Sequence, residues 1–308
     1  MLAQDAPERL DRGRFTAVFY PNDRALATSL LEEAAQDDTF PGLPRPHQHV
    51  LLAVAPDHRR FREWAGPGAP EWGAAITFPA SQRIIMQGRA SGSDAGDPRE
   101  VFRHELAHLA LHEFLGDLPP RWFDEGYASY SAREWNREDA LAANLGLALR
   151  GAPTFDELDQ QFGGGSLAAQ NAYALAYRAI VELAELDTTA GLSRFFDAWR
   201  ATGSMDRALR GEYGLTIDGF EHRWRQRTRR RYGALALVSD LSLVGVFLII
   251  VVIPLSFVRR QRDRHRLTEM MAADEAAERA ARADAIEALL RGDDWPDFGD
   301  GSPPADPS

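Results

Sequence analysis

The stretch 101–114, VFRHELAHLALHEF, places three histidines four residues apart on what its apolar spacing predicts to be one α-helix. His104 and His108 enclose Glu105 in the pattern H-E-x-x-H. At 3.6 residues per turn the two imidazoles project from one face of the helix and can converge on one metal ion. Glu105 lies about 100° around the helix, where its carboxylate can accept a proton from an attacking water. The pattern predicts metal-assisted hydrolysis.

A third protein ligand is needed, because a catalytic zinc site combines three protein ligands with one open position. His112 shares the face of the motif, but a straight helix carries it roughly 12 Å from His104, beyond a common ion. We therefore expect His112 to support the site or to pack in the core, with a place closer to the metal as the alternative. Glu125 is the other candidate ligand, because Gly116 ends the first helix and a following helix can return a carboxylate to the histidines.

Two motifs together carry a resemblance to a known family. HELAH at 104–108 is followed by RWFDEGYASY at 121–130. With this pair the chain resembles the gluzincins, the thermolysin-like zinc peptidases, and more closely their Peptidase MA-like branch, whose pattern is H-E-x-x-H followed by a tryptophan and E-G-x-A. The resemblance covers residues 14–231. It implies one Zn²⁺ ion held by His104, His108 and Glu125, with Glu105 as the general base and a peptide or protein as the substrate.

The resemblance also implies site features on other elements. Gluzincins use a tyrosine or histidine to stabilise the oxyanion, and the candidates here are Tyr173 and Tyr177, with Tyr173 preferred. An extended substrate is expected to pair along the strand RIIMQ (83–87), taken as the edge of the sheet. In the thermolysin pattern an Asp four residues past the ligand Glu supports a zinc-bound His, whereas this chain has Ser129. We expect support from Asp124 or from a backbone carbonyl instead.

The surrounding sequence indicates a sheet followed by helices. Strand patterns lie at 14–20, 49–56, 72–79 and 83–88, the last two as a hairpin, and a helical pattern lies at 23–36. We predict an α+β fold with a zincin-like catalytic domain, in which a mixed β-sheet with helices (14–88) precedes a mostly helical part (97–231). Asp97 is expected to cap the motif helix, and residues 1–13 are expected to be disordered.

An apolar run at 234–258 is long enough to cross a lipid bilayer, with Asp240 near one end. We predict one transmembrane helix there, with a buried core helix as the alternative, and an arginine-flanked helix and acidic disordered tail over 259–308. Arginines on both flanks leave the orientation open. The opening residues are typical of those after a cleaved signal peptide, so we expect the catalytic domain outside the cytoplasm; a cytoplasmic domain is the alternative.

Composition removes several classes of function. The net charge of -11 argues against binding to nucleic acid. The chain has no cysteine and no lysine, which excludes thiolate zinc sites, cysteine nucleophiles and lysine Schiff bases. The sequence does not indicate an oligomeric state.

Three functions stay open. An endopeptidase is favoured over a zinc aminopeptidase, because the hairpin strands contain no carboxylate that would capture a free amine. The third possibility is a catalytically weak, membrane-anchored binding or scaffold protein that has kept the zinc fold. The intact Glu105 argues against it, since this residue binds no metal.

Overall fold

The computed structural model describes residues 6–66, 74–89, 96–117, 119–134 and 151–232. The chain divides into two units, Met1–Asp240 and Leu241–Ser308, and all described residues belong to the first. The predicted transmembrane helix at 234–258 and the predicted tail at 259–308 lie outside the described residues. Within the described ranges no helix is both long enough and apolar enough to cross a membrane.

The described strands form one mixed sheet of five strands. They are β1 (Glu8–Arg12), β2 (Phe15–Phe19), β3 (Val50–Ala55), β4 (Ala75–Phe78) and β5 (Arg83–Gln87). Their order across the sheet is β1-β2-β3-β5-β4, with β2, β3 and β5 parallel and the two outer strands antiparallel to their neighbours. The predicted strands and the predicted β4–β5 hairpin are confirmed.

The sheet corrects two sequence-based predictions. Residues 8–12 form β1, although residues 1–13 were predicted to be disordered; the exposed charged side chains of this strand suit an edge, and its Arg9 and Asp11 pair at 2.9 Å. RIIMQ was predicted to be the edge strand, but it is β5 and lies between β3 and β4. The reason is that Ile84, Ile85 and Met86 are buried on both faces of the sheet, which is typical of an inner parallel strand. The outer strand is β4.

Helices cover both faces of this sheet. The helices of this part are α1 (Arg24–Gln36), α2 (His58–Ala65) and α3 (Pro98–Leu115). The larger core joins Leu52 and Ile84 of the sheet to α1 and α3. A smaller cluster on the other face joins Ile85 to Phe61 of α2. The motif helix α3 is therefore packed directly on the sheet, close to β4 and β5.

The second part of the described chain is helical, as predicted. Its helices are α4 (Arg121–Ser131), α5 (Phe155–Gln161), α6 (Ser166–Ala184), α7 (Ser193–Thr202), α8 (Met205–Tyr213) and α9 (217–232). Helices α4 and α6 approach unusually closely at Gly126, where a Cβ atom would lie 2.5 Å from the carbonyl oxygen of Ala176. The glycine of the E-G-x-A motif thus has a packing reason, because any side chain there would force α6 away from α4.

The ends of the two site helices are fixed by local contacts. Asp97 caps α3 as predicted, accepting a hydrogen bond from the backbone N–H of Arg99 at 2.9 Å, and Gly116 ends the helix at φ 72°. Helix α4 begins after Pro120, and its first turn is capped from α5, since the Asp159 carboxylate accepts from the N–H of Trp122 at 2.5 Å. The Trp122 ring stacks on Phe155 at a centroid distance of 3.8 Å. These contacts set the position of Glu125 one turn later.

Candidate metal and active site

Three ligand atoms converge between α3 and α4. The Nε2 atoms of His104 and His108 lie 3.4 and 3.7 Å from the same oxygen, Oε2, of Glu125. All three ligand atoms lie within 4.8 Å of one another, and no more than 16% of any of these side chains is exposed. Two imidazole nitrogens and one carboxylate oxygen in this arrangement can hold one metal ion. The structure thus brings together the three residues that the sequence predicted as ligands.

Both histidines are also held at their second ring nitrogen. His104 Nδ1 lies 3.1 Å from Glu134 Oε1, and His108 Nδ1 lies 2.8 Å from Asp124 Oδ1. A carboxylate at Nδ1 keeps the proton on that nitrogen and leaves Nε2 available as a metal ligand. Of the supports considered from the sequence, Asp124 is the one found, whereas Glu134 was not predicted. Ser129 is fully buried, and its hydroxyl has no hydrogen-bond partner among the described residues.

His112 supports the site through Asp124. Its Nε2 atom lies 3.2 Å from Asp124 Oδ2, the oxygen that His108 does not use. The two histidines therefore share one carboxylate, which is bound at both oxygens between α3 and α4. This contact agrees with the expectation that His112 lies behind the ligands and not among them.

Glu105 is bound to the outer strand β4 instead of to the group formed by His104, His108 and Glu125, which we call the histidine cluster. Its Oε2 accepts a hydrogen bond from the Thr77 hydroxyl at 2.5 Å. Thr77 lies on β4 and was not predicted from the sequence. A signal was present, because alternation along β4 places Ala75 and Thr77 on one face, while Ile76 and Phe78 pack with the α2 cluster on the other. Thr77 thus connects the candidate base to the outer strand.

The two candidate tyrosines lie in different surroundings. The Tyr173 ring lies edge-on to His104, with a centroid distance of 6.3 Å, and it also packs against Phe162 at 5.1 Å. Tyr177 is 2% exposed and packs against Tyr130, with the ring centroids 6.3 Å apart. Helix α6 therefore brings Tyr173 to the histidine cluster and places Tyr177 in the core.

The carboxylates reverse the effect of burial on the histidines. Burial by itself would lower the pKa of His104, but hydrogen bonds to Glu125 and Glu134 outweigh it and raise that pKa to about 10. Burial would likewise lower the pKa of His108, but the charge of Asp124 and its hydrogen bond outweigh burial and raise that pKa to about 9. The pKa of Asp124 and that of Glu125 are lowered, because their histidine partners outweigh the burial that would raise them. Without a metal, the cluster therefore holds two protonated histidines between ionised carboxylates.

Comparison with known proteins agrees with this geometry. The family model of the Peptidase MA superfamily matches residues 68–229, which is more than half of the chain and includes β4, β5 and the histidine cluster. A comparison with curated proteins gives no match. The chain therefore belongs to the Peptidase MA superfamily, and with it to the peptidases.

Proposed function

We propose that this chain is a membrane-anchored, zinc-dependent endopeptidase in which Glu105 is the general base. The observation that carries the proposal is the convergence of His104, His108 and Glu125 on one point, each histidine having a carboxylate at its other nitrogen. Two imidazoles and one carboxylate are a ligand set of catalytic zinc sites, and a cysteine-free chain can supply no thiolate ligand in their place. The residues present therefore fit one Zn²⁺ ion.

The residues around this cluster have distinct roles in peptide hydrolysis. Bound zinc supplies Lewis acidity, which polarises the peptide carbonyl and lowers the pKa of water. Glu105 accepts the proton of the attacking water and passes it to the leaving nitrogen. The Thr77 hydroxyl, which donates to one oxygen of Glu105, leaves the other oxygen to take that proton. Tyr173 donates a hydrogen bond to the oxyanion of the tetrahedral intermediate.

The substrate lies along the outer strand β4. Extended peptides bind sheet edges by backbone hydrogen bonds, and β4 is the outermost of the described strands on the side of α3. Since Thr77 connects β4 to Glu105, a peptide on this strand passes the candidate base. Neither AITF nor RIIMQ contains a carboxylate to capture a free amine, which favours an endopeptidase over an aminopeptidase.

The apolar run at 234–258 is proposed as the single membrane anchor of the chain. The peptidase domain lies on the outer side of that membrane in our proposal. The alternative function is a membrane-anchored binding or scaffold protein with little turnover, and the intact H-E-x-x-H motif, with its glutamate connected to the edge strand, favours the enzyme.

The test separates the base from the ligands. Glu105→Gln should lower the cleavage of casein by about 100-fold or more and keep one zinc ion per chain, because the amide cannot accept the proton. Glu125→Ala should lose both zinc and turnover. Zinc is measured by atomic emission on the purified full-length protein, and turnover by release of peptides with and without a chelator.

A matched control is Glu100→Gln, which changes an exposed glutamate on the first turn of the same helix. This variant should keep both zinc and turnover. Wild-type turnover in Glu105→Gln would exclude Glu105 as the base. Absence of any chelator-sensitive cleavage by the wild type would favour the scaffold alternative.

A further inference from the structure

We propose that Arg121 binds a carboxylate group of the substrate close to the bond that is cleaved. The inference rests on the proposed peptidase function and adds a substrate class to it. Arg121 is the first residue of α4, and its Nε atom lies 3.8 Å from Glu125 Oε1. The other oxygen of Glu125 faces His104 and His108.

This placement puts the guanidinium at the border of the candidate site. The Glu125 carboxylate lies close to Arg121 through one oxygen and to the two histidine nitrogens through the other. An extended peptide advances by about 3.3–3.6 Å per residue, so a group that reaches Arg121 belongs to a residue within about two positions of the cleaved bond.

Aromatic packing holds the guanidinium in place. The Arg121 Cζ atom lies 5.0 Å from the centroid of the Phe162 ring, which is itself buried. Phe162 packs against Tyr173, and Tyr173 packs against His104, so a continuous row of rings connects the arginine to the cluster. A cation stacked on a fixed ring keeps its orientation before a ligand arrives, which lowers the entropic cost of binding.

The guanidinium is also available. About half of the Arg121 side chain is exposed (49%), and its nitrogens donate no hydrogen bond among the described residues. The two carboxylates that interact with it, Glu125 and Asp159, have other partners as well, since Glu125 faces the histidines and Asp159 accepts the N–H of Trp122. Arg103 on α3 shows the contrast, because its guanidinium donates to three backbone carbonyls and is fully used inside the fold.

The chemistry of the site points to an anionic ligand. A guanidinium has a planar fork of donors that matches a carboxylate. The carboxylates of Glu105, Asp124 and Glu134 surround the cluster, and no other arginine among the described residues pairs with Glu105, Asp124 or Glu125. Arg121 is therefore the position at which an acidic substrate group is stabilised. That group is either an Asp or Glu side chain or the C-terminal carboxylate of a short peptide.

The experiment compares peptides that differ in one charge. The full-length protein first cleaves casein, and mass spectrometry identifies the bonds cut. Quenched fluorescent peptides around one such bond then carry Glu or Gln at each of the three positions on either side, and a second pair ends in a free or an amidated carboxyl group close to that bond. The ratio of kcat/KM within each pair is measured for the wild type, Arg121→Gln and Arg121→Lys.

We expect the wild type to prefer one acidic peptide by about tenfold to a hundredfold, the range of a charge-assisted hydrogen bond. The ratio should fall to near one in Arg121→Gln and lie between the two in Arg121→Lys. The position of the preferred Glu, or the preference for a free carboxyl end, tells the two sources apart. Arg200→Gln is the control, because Arg200 also stacks on a phenylalanine, Phe114, with its Cζ 4.8 Å from the ring centroid, and it should keep the wild-type ratio.

A second measurement does not depend on turnover. In zinc-loaded Glu105→Gln protein, anisotropy of dye-labelled Glu and Gln peptides should show the same preference, and adding Arg121→Gln should abolish it. Equal handling of all pairs by the wild type would overturn the inference. So would an Arg121→Gln variant that loses zinc and slows both peptides of a pair alike, since Arg121 would then only hold Glu125. Binding that depends on Arg121 without any cleavage would instead support the inference and contradict the peptidase.

Discussion

The two histidines of the H-E-x-x-H motif are held by different parts of the chain. His108 is bound at Nδ1 by Asp124, the residue directly before Glu125 on α4. His104 is bound at Nδ1 by Glu134, which lies beyond the end of the same helix. Asp124 also binds His112, so the support of His108 is shared by two histidines of α3.

The support of His104 depends on how α4 ends. Arg133 takes the left-handed conformation at φ 61°, and its N–H donates to the carbonyl of Tyr130 at 3.2 Å. The N–H of Glu134 donates to the carbonyl of Ser129, also at 3.2 Å. These two bonds form a Schellman motif, in which the chain turns back on the helix. The turn directs Glu134 to His104.

The orientations of the two candidate ligands, His108 and His104, therefore depend on different local features of the chain. Asp124 and Glu125 lie next to each other near the start of α4, so the cap and the aromatic packing there fix both residues. Glu134 reaches His104 only if the helix stops at one residue and Arg133 accepts an unfavourable backbone conformation. The support of His108 therefore depends on helix α4 itself, and the support of His104 depends on the turn that ends this helix.

The largest effect that we expect is that of pH on the zinc affinity of the site formed with His104 and His108. Without a metal the pKa of His104 is about 10 and that of His108 about 9, so both are protonated at pH 7. Zinc binds neutral imidazole, so uptake should release two protons, and the association constant should rise by about 100-fold per unit between about pH 6 and 8. The lowered pKa of Glu125 adds no proton in this range. Calorimetry in buffers of different ionisation enthalpy counts the protons, and release of none would contradict the charged state of both histidines.

The next largest effect that we expect comes from removing Asp124 or Glu134, the two carboxylates that hold the histidines. Asp124→Ala should weaken zinc binding by about 100-fold, because His108 and His112 both lose their acceptor, whereas Glu134→Ala should weaken it by about tenfold. Competition with a chromophoric chelator measures both. Glu100→Ala removes an exposed acid of α3 and should leave the affinity unchanged. A loss in Glu134→Ala equal to or larger than that in Asp124→Ala would reverse the comparison.

The part of the site that sequence alone predicts is the part governed by helix geometry. The spacing of His104 and His108, the cap at Asp97 and the end at Gly116 depend on contacts within a few residues, and the structure has all of them where the sequence indicates. The α+β arrangement, a sheet first and helices afterwards, also follows from local periodicity. Asp124 could be predicted as a support because it directly precedes the candidate ligand Glu125 in the sequence.

What the sequence did not predict depends on contacts between distant residues. Glu134 follows a left-handed residue that is not glycine, so no composition signal marks the turn. The contact of Thr77 with Glu105 requires the position of β4 on α3, which strand alternation does not fix. The order of β4 and β5 was misread, although Ile84, Ile85 and Met86 form an apolar run that favours an inner strand. Helix α2 was missed altogether.

The smallest effect that we expect is a change in stability when the turn at the C-terminal end of α4 is altered. Arg133→Gly should remove the cost of about 1–2 kcal/mol for a side chain in the left-handed region. It should also add about 0.5–1 kcal/mol of unfolded-chain entropy for glycine. The net gain in the free energy of unfolding is therefore at most about 1.5 kcal/mol and centred near about 0.7 kcal/mol, measured from urea transitions of the metal-free protein.

Zinc affinity should stay at the wild-type value in this variant, because glycine keeps the turn that directs Glu134 to His104. Arg133→Ala is the matched control, because alanine retains the cost of the left-handed conformation. It removes only the exposed ion pair in which Arg133 Nη2 lies 3.8 Å from Asp37 Oδ2, so the free energy of unfolding should change little. If Arg133→Gly instead weakened zinc binding, a flexible turn would no longer hold Glu134, and the arginine's restricted backbone would be part of what keeps His104 in place.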